Sequence, residues 1–152
     1  MNREILFKAK RKDNGKWVEG YYCKLDETTY CISEDYERHP VPTHHYILYE
    51  TMTDWGLPNR FLQFEIDPDT ICQFTGLTDK NGKRIWENDI CIIEDGTLDE
   101  EDGCFICKWD DCTARYILDG SGLTVDFDNV DERDIEVIGN VFDNAELLEV
   151  KE

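Results

Sequence analysis

The chain has 152 residues, with 16 Lys and Arg against 35 Asp and Glu, a formal net charge of −19 at pH 7. Its 40% hydrophobic and 12% aromatic fractions suffice for a core, which excludes disorder over the whole length. So acidic a surface disfavours direct contact with nucleic-acid phosphate, where Lys and Arg supply the affinity by displacing counterions.

At the N-terminus Ile5-Leu6-Phe7 is too short an apolar run for an export signal. No stretch approaches the ~20 apolar residues of a membrane helix, so the expected location is the cytosol, with no membrane contact. Ile5 to Ala9 reads as a strand, Lys12-Asp13-Asn14-Gly15-Lys16 as a turn, and Trp17 to Cys23 as the return strand. Asn-Gly favours a tight hairpin, because both residues tolerate positive φ. A third short strand is expected over Thr28 to Ser33. From Glu34 to Arg60, Pro40, Pro42 and Pro58 interrupt any ladder, and His39, His44 and His45 fall among them. That stretch reads as a long connection, the best place for a binding loop, with Ile47-Leu48-Tyr49 as a short strand or packed loop.

Regular alternation resumes at Phe61 to Ile66, turns at Asp67-Pro68-Asp69, and continues through Thr70 to Phe74. Asp79-Lys80-Asn81-Gly82-Lys83 supplies a second Asn-Gly hairpin, followed by strands at Arg84 to Trp86 and Asp89 to Ile93. The second of these is almost wholly apolar and is expected at the centre of a sheet. Beyond an acidic loop, Glu94 to Gly103, strands are expected at Cys104 to Trp109, Ala114 to Leu118, Leu123 to Phe127 and Ile135 to Phe142. Asp143, with Glu146 three residues on, has the spacing of a capping box and predicts one short C-terminal helix. The expected fold is mainly β: a small, SH3-like barrel or strongly bent sheets, closed by that helix. The chain reads as one unit over 1–152, within which an N-terminal β part (1–60) and a barrel-like part (61–152) can be drawn.

Charge is unevenly distributed. Residues 1–20 carry six bases and three acids, whereas residues 95–152 carry eighteen acids and four bases. A solvated acidic face explains most of this. Opposed ends also favour self-assembly, the basic strip of one copy meeting the acidic half of another, and a surface imitating nucleic acid would suit a basic partner protein.

The seven cysteines are odd in number and lie in β-branched or aromatic runs, so they read as free thiols behaving as small apolar residues. Cys104-x-x-Cys107 with Cys112 approaches a zinc pattern, but a second pair is missing and no metal is assigned. Asp95, Asp99, Glu100, Glu101 and Asp102 form one acidic loop, and Asp126, Asp128, Asp131, Glu132 and Asp134 another. Neither has the spacing of a calcium-binding EF-hand loop. No phosphate-binding loop, nucleophile elbow or metalloprotease motif occurs, and no activating partner can be placed beside the histidines, so no catalytic or cofactor-binding residue is assigned.

Three blocks carry a family resemblance: Arg3 to Ala9, Ile66 to Ile90 and Glu136 to Leu148. The middle block reads Thr70-Ile71-Cys72-Gln73-Phe74-Thr75-Gly76-Leu77-Thr78-Asp79-Lys80-Asn81-Gly82-Lys83-Arg84-Ile85-Trp86-Glu87-Asn88-Asp89-Ile90. In this order they resemble the YopX family of phage and prophage proteins. Cys72, Phe74, Asn88 and Ala145 stand where that family usually has Gly, Tyr, Gly and Pro. The resemblance implies a phage accessory protein in the bacterial host cytosol, with a mainly β fold, and supplies no catalytic residues. Within its block, Gln73, Thr75, Gly76, Asp79, Asn81, Gly82 and Asp89 are the candidate positions, and turn chemistry accounts for most of their residue types. The expectation from the sequence is a non-enzymatic, self-associating interaction module. A decoy for a basic DNA-binding protein is the alternative, and an unrecognised metal-dependent enzyme a second one.

Overall fold

The computed structural model describes residues 1–94, 103–120 and 122–149. The chain divides into two units, one formed by Leu6–Ile71 and the other by Met1–Ile5 with Cys72–Glu152. These are called the N-terminal and C-terminal units below.

In the N-terminal unit four strands run β1 (Phe7–Lys10), β2 (Trp17–Asp26), β3 (Thr43–Thr51) and β4 (Arg60–Glu65). They pair antiparallel in sequence order, with Ala9 opposite Val18, Tyr22 opposite Ile47, and Ile47 opposite Phe64. Period-two alternation gathers Ala9, Val18 and Ile47 with Ile66 into a buried cluster, against which Phe7, Tyr22, Phe64 and Ile71 pack. Removing a fully buried isoleucine such as Ile47 down to Ala would cost about 2–5 kcal/mol. The sheet curls until an isolated bridge joins Arg11 to Ile66, but it does not close into a barrel.

The stretch expected as a long connection is more ordered than its prolines imply. It holds a six-residue helix α1 (Ser33–Arg38) and the whole of β3, while Thr28 to Ile32 forms no strand. Pro40 and Pro42 lie just before β3, outside its ladder, so they cost it no hydrogen bond. The strand is hard to read because its outward positions, Tyr46 and Leu48, are apolar as well, which hides the alternation.

In the C-terminal unit β5 (Cys72–Thr78) and β6 (Arg84–Trp86) form a hairpin. Then come β7 (Asp89–Ile93), β8 (Phe105–Asp110), β9 (Arg115–Gly120), β10 (Leu123–Asp126) and β11 (Ile135–Asn140). These five make an antiparallel sheet in the order β10-β9-β8-β7-β11, with the apolar β7 in the interior as its composition implies. Cys91, Phe105, Cys107, Leu118, Ile135 and Val137 form its buried core with Ile85. Gly120 is there for closeness: a Cβ would sit 2.2 Å from the carbonyl oxygen of Cys104.

The fold is therefore mainly β, as expected, but not a barrel. The C-terminal helix is reduced to a 3-10 turn, Ala145–Leu148. Asn144, not Asp143, holds the N-cap position and its side chain caps nothing; instead its Oδ1 accepts from the Asn140 N–H at 3.2 Å. Asp143 Oδ2 accepts from Asn140 Nδ2, so the predicted capping box is spent on a local turn. Among the described residues no helix is long and apolar enough to cross a membrane. The acidic loop from Asp95 to Asp102 lies outside the described residues.

Candidate functional site

The middle family block builds a rigid hairpin, and its polar residues hold that hairpin together. Asp79 is 5% exposed. One carboxylate oxygen accepts from the N–H groups of Asn81 and Lys83, each at 2.9 Å, and the other from Val137 N–H of β11 at 3.0 Å. Burial alone would push this carboxyl up, but the three donors from Val137, Lys83 and Asn81 outweigh it and hold Asp79 below the usual carboxylate range. Gly82 takes φ 76° in the turn, whereas Asn81 does not adopt positive φ. The turn is therefore longer than the two-residue hairpin suggested by Asn-Gly, and closes with Asp79 N–H donating to Lys83 O.

The neighbouring positions follow the same logic. Thr75 donates its hydroxyl to Ile85 O at 2.7 Å and accepts from Leu77 N–H, bracing Gly76, which sits at φ 91°. Asp89, 2% exposed, accepts from Trp86 N–H at 2.9 Å across the turn between β6 and β7. In that turn Asn88 takes φ 68°, the left-handed conformation that makes Asn the next choice after Gly. Asn88 N–H donates to Cys107 O, and Asn88 O accepts from Val141 N–H.

Gln73 and Thr75 also face open space. They line two adjoining concavities in the C-terminal unit, of about 350 Å³ and about 290 Å³, which share Arg3, Trp109 and Tyr116. Trp109 and Tyr116 are direct cross-strand partners on β8 and β9, which sets their rings edge to face with centroids 5.0 Å apart. Trp109 remains 45% exposed. Glu87 enters the smaller concavity from the turn beside Asn88, placed by its N–H donating to Gln73 O. Its carboxylate makes no hydrogen bond or ion pair among the described residues, and burial pushes it up from its ordinary pKa. Burial also pushes the Tyr116 phenol up to about 12, with the Glu87 charge adding to the effect.

Sequence reading alone found Gln73 and Thr75 but missed Arg3, Glu87, Trp109 and Tyr116 as a group. Only the β8–β9 register and the turn after β6 bring them together.

The other sequence candidates are dispersed. His44 and His45 stand on β3 and not in a loop: His44 bonds Glu65 at 2.8 Å and Glu27 at 3.1 Å, while His45 stacks on Tyr22 and bonds its hydroxyl. His39 is the residue after α1. Cys107 is buried, Cys104 half-buried and Cys112 exposed. All seven cysteines are free, and burial drives the Cys91 thiol up to about 12. In the second acidic loop Asp126 pairs with Arg115 at 2.9 Å, and the Arg133 guanidinium holds Asp131 down at about 2. Among the described residues no three His, Cys, Asp or Glu side chains form a metal-sized group.

Among the described residues the chain is mainly β, built from antiparallel strands in two sheets. The family model described as YopX protein matches residues 6–149, so the chain belongs to the YopX family. Among solved structures it is similar to the crystal structure of protein EF1440 from Enterococcus faecalis. The TM-score is 0.56 at 19% identity, over 97% of this chain and 100% of that one, a likeness of fold. A search of the curated proteins returned no match.

Proposed function

We propose that this chain is a non-enzymatic protein–protein interaction module that self-associates through its N-terminal unit. The observation that carries the reading is the β3–β4 hairpin. Trp55 at its tip is fully exposed, Met52 is 87% exposed, and Leu57, Phe61 and Tyr49 are exposed beside them. Single exposed apolar residues are ordinary, but five apolar side chains exposed around the tip of one hairpin mark a contact surface. Tryptophan is also the residue most enriched among interface anchors.

The backbone adds a second argument. Ile66 N–H donates to His45 O, so alternation turns the main-chain groups of Phe64 and Leu62 towards β3. Those of Phe61 and Gln63 then point outward along the sheet edge, where a second strand can add. Sedimentation of the full chain tests the reading. The expected result is a dimer or larger species at about 10–100 μM, shifted to monomer by Trp55→Ala with Phe61→Glu. A wild-type monomer throughout that range sinks it.

A second reading rests on the eighteen acids of residues 95–152, which suit a basic DNA-binding partner. It predicts salt-sensitive capture of such proteins by the immobilised chain, reversed by competing DNA. Capture indifferent to DNA argues against it.

A further inference from the structure

We propose that the concavity beside Trp109 binds a guanidinium group, stacked on the Trp109 indole and paired with the carboxylate of Glu87. The proposal concerns the C-terminal unit and does not depend on self-association.

Five charged residues line the two adjoining concavities: Arg3, Arg115, Glu87, Asp126 and Asp128. Arg115 and Asp126 neutralise one another at 2.9 Å. Among the described residues, Glu87 and Asp128 have no ion-pair partner, and neither does Arg3. The open charge is therefore net negative, inside a chain whose own charge is −19. A cation is drawn to such a site, while an anion would have to be held by Arg3 alone against that field.

Shape narrows the choice of cation. Trp109 is 45% exposed at the concavity, its ring fixed at a steep angle to Tyr116 with centroids 5.0 Å apart. Indole is the best aromatic surface for a cation, and guanidinium is planar enough to stack on it while presenting paired N–H donors to a carboxylate. Glu87 is already half out of water with nothing to bond, so its pairing costs little further desolvation. The Gln73 amide, on the same wall, supplies a further acceptor. An ammonium can take the charge but not the stack and the fork together.

The full chain is titrated with N-acetyl-arginine amide, free L-arginine and N-acetyl-lysine amide, following the indole N–H resonances by NMR. Trp109→Phe identifies the resonance that matters. Saturable shifts at that indole are expected with both arginine probes at millimolar concentration, and weaker ones with the lysine probe. Tighter binding of the blocked amide points to an arginine within a protein partner, and tighter binding of free L-arginine to the free amino acid. Glu87→Gln should weaken binding about tenfold or more. Arg3→Gln should leave it equal or tighter, since a like charge has been removed. No shift by about 50 mM overturns the proposal, as do undiminished binding in a folded Glu87→Gln variant or loss of binding in Arg3→Gln.

Discussion

The chain uses almost the same turn twice, Lys12-Asp13-Asn14-Gly15-Lys16 in the N-terminal unit and Asp79-Lys80-Asn81-Gly82-Lys83 in the C-terminal one. Gly15 and Gly82 both take positive φ, at 69° and 76°, and neither asparagine does, but the loops differ in length: Arg11 N–H donates to Lys16 O across four residues, and Asp79 N–H to Lys83 O across three. The carboxylates differ completely. Asp13 is exposed and bonds the Arg11 guanidinium at 2.9 Å, an interaction within one turn. Asp79 is buried and bonds three backbone N–H groups, one of them on β11. Two Asn-Gly turns of different length therefore close a surface hairpin in one place and fasten a hairpin to a sheet in the other.

The largest effect that could break this comparison is Asp79→Asn. An amide offers one acceptor oxygen where the carboxylate offers two, so it leaves a buried N–H of Val137, or those of Asn81 and Lys83, facing an NH₂ group. The expected loss is about 2–3 kcal/mol by urea denaturation, against a far smaller change for the exposed Asp13→Asn. Equal losses would mean that the link to β11 contributes little. The pH dependence runs with the same sign. Because the folded pKa of Asp79 lies below its ordinary 3.8, its contribution is present above that value and lost as pH falls through the lowered one.

A smaller effect should be shared. Ala at Gly15 or at Gly82 meets nothing within 4 Å, so only the positive φ opposes it. Each substitution should cost about 1 kcal/mol, and by similar amounts, in denaturant melts. A much larger loss at Gly82 would show that strain there propagates into the Asp79 bonds.

What could be read from the sequence follows from the same contrast. Glycine, asparagine and strict alternation are local signals, so β6 and β7 were legible to the residue, and both hairpin turns in position though not in length or in the asparagine conformation. Strand β3 was not, because Tyr46 and Leu48 put apolar groups on both faces and two prolines stand next to it. The concavity was legible only in fragments. Trp109 and Tyr116 are seven positions apart in the chain, and nothing but the β8–β9 register says they are neighbours. Arg3 and Glu87 are further still. The capping box failed for a related reason: Asp143 and Asn144 both fit as caps, and Asn140 takes the Asp143 side chain first.

The smallest predicted effect separates the units by pH. His44 on β3 bonds Glu65 and Glu27, and those two carboxylates raise its pKa above the ordinary 6.5. A histidine raised in the folded state contributes its full stabilisation below 6.5 and loses it as pH rises through the raised value. The N-terminal unit should therefore soften as pH rises above 6.5 through the raised value, and the C-terminal unit, through Asp79, only in acid. Amide exchange along β3 and β4 should speed up as pH rises from 6.5 upward, beyond the intrinsic pH effect, while the Asp79 turn does not follow. His44→Gln should abolish that difference. If it persists without the imidazole, the pair is a passive surface contact, and the contrast between the units rests on Asp79 alone.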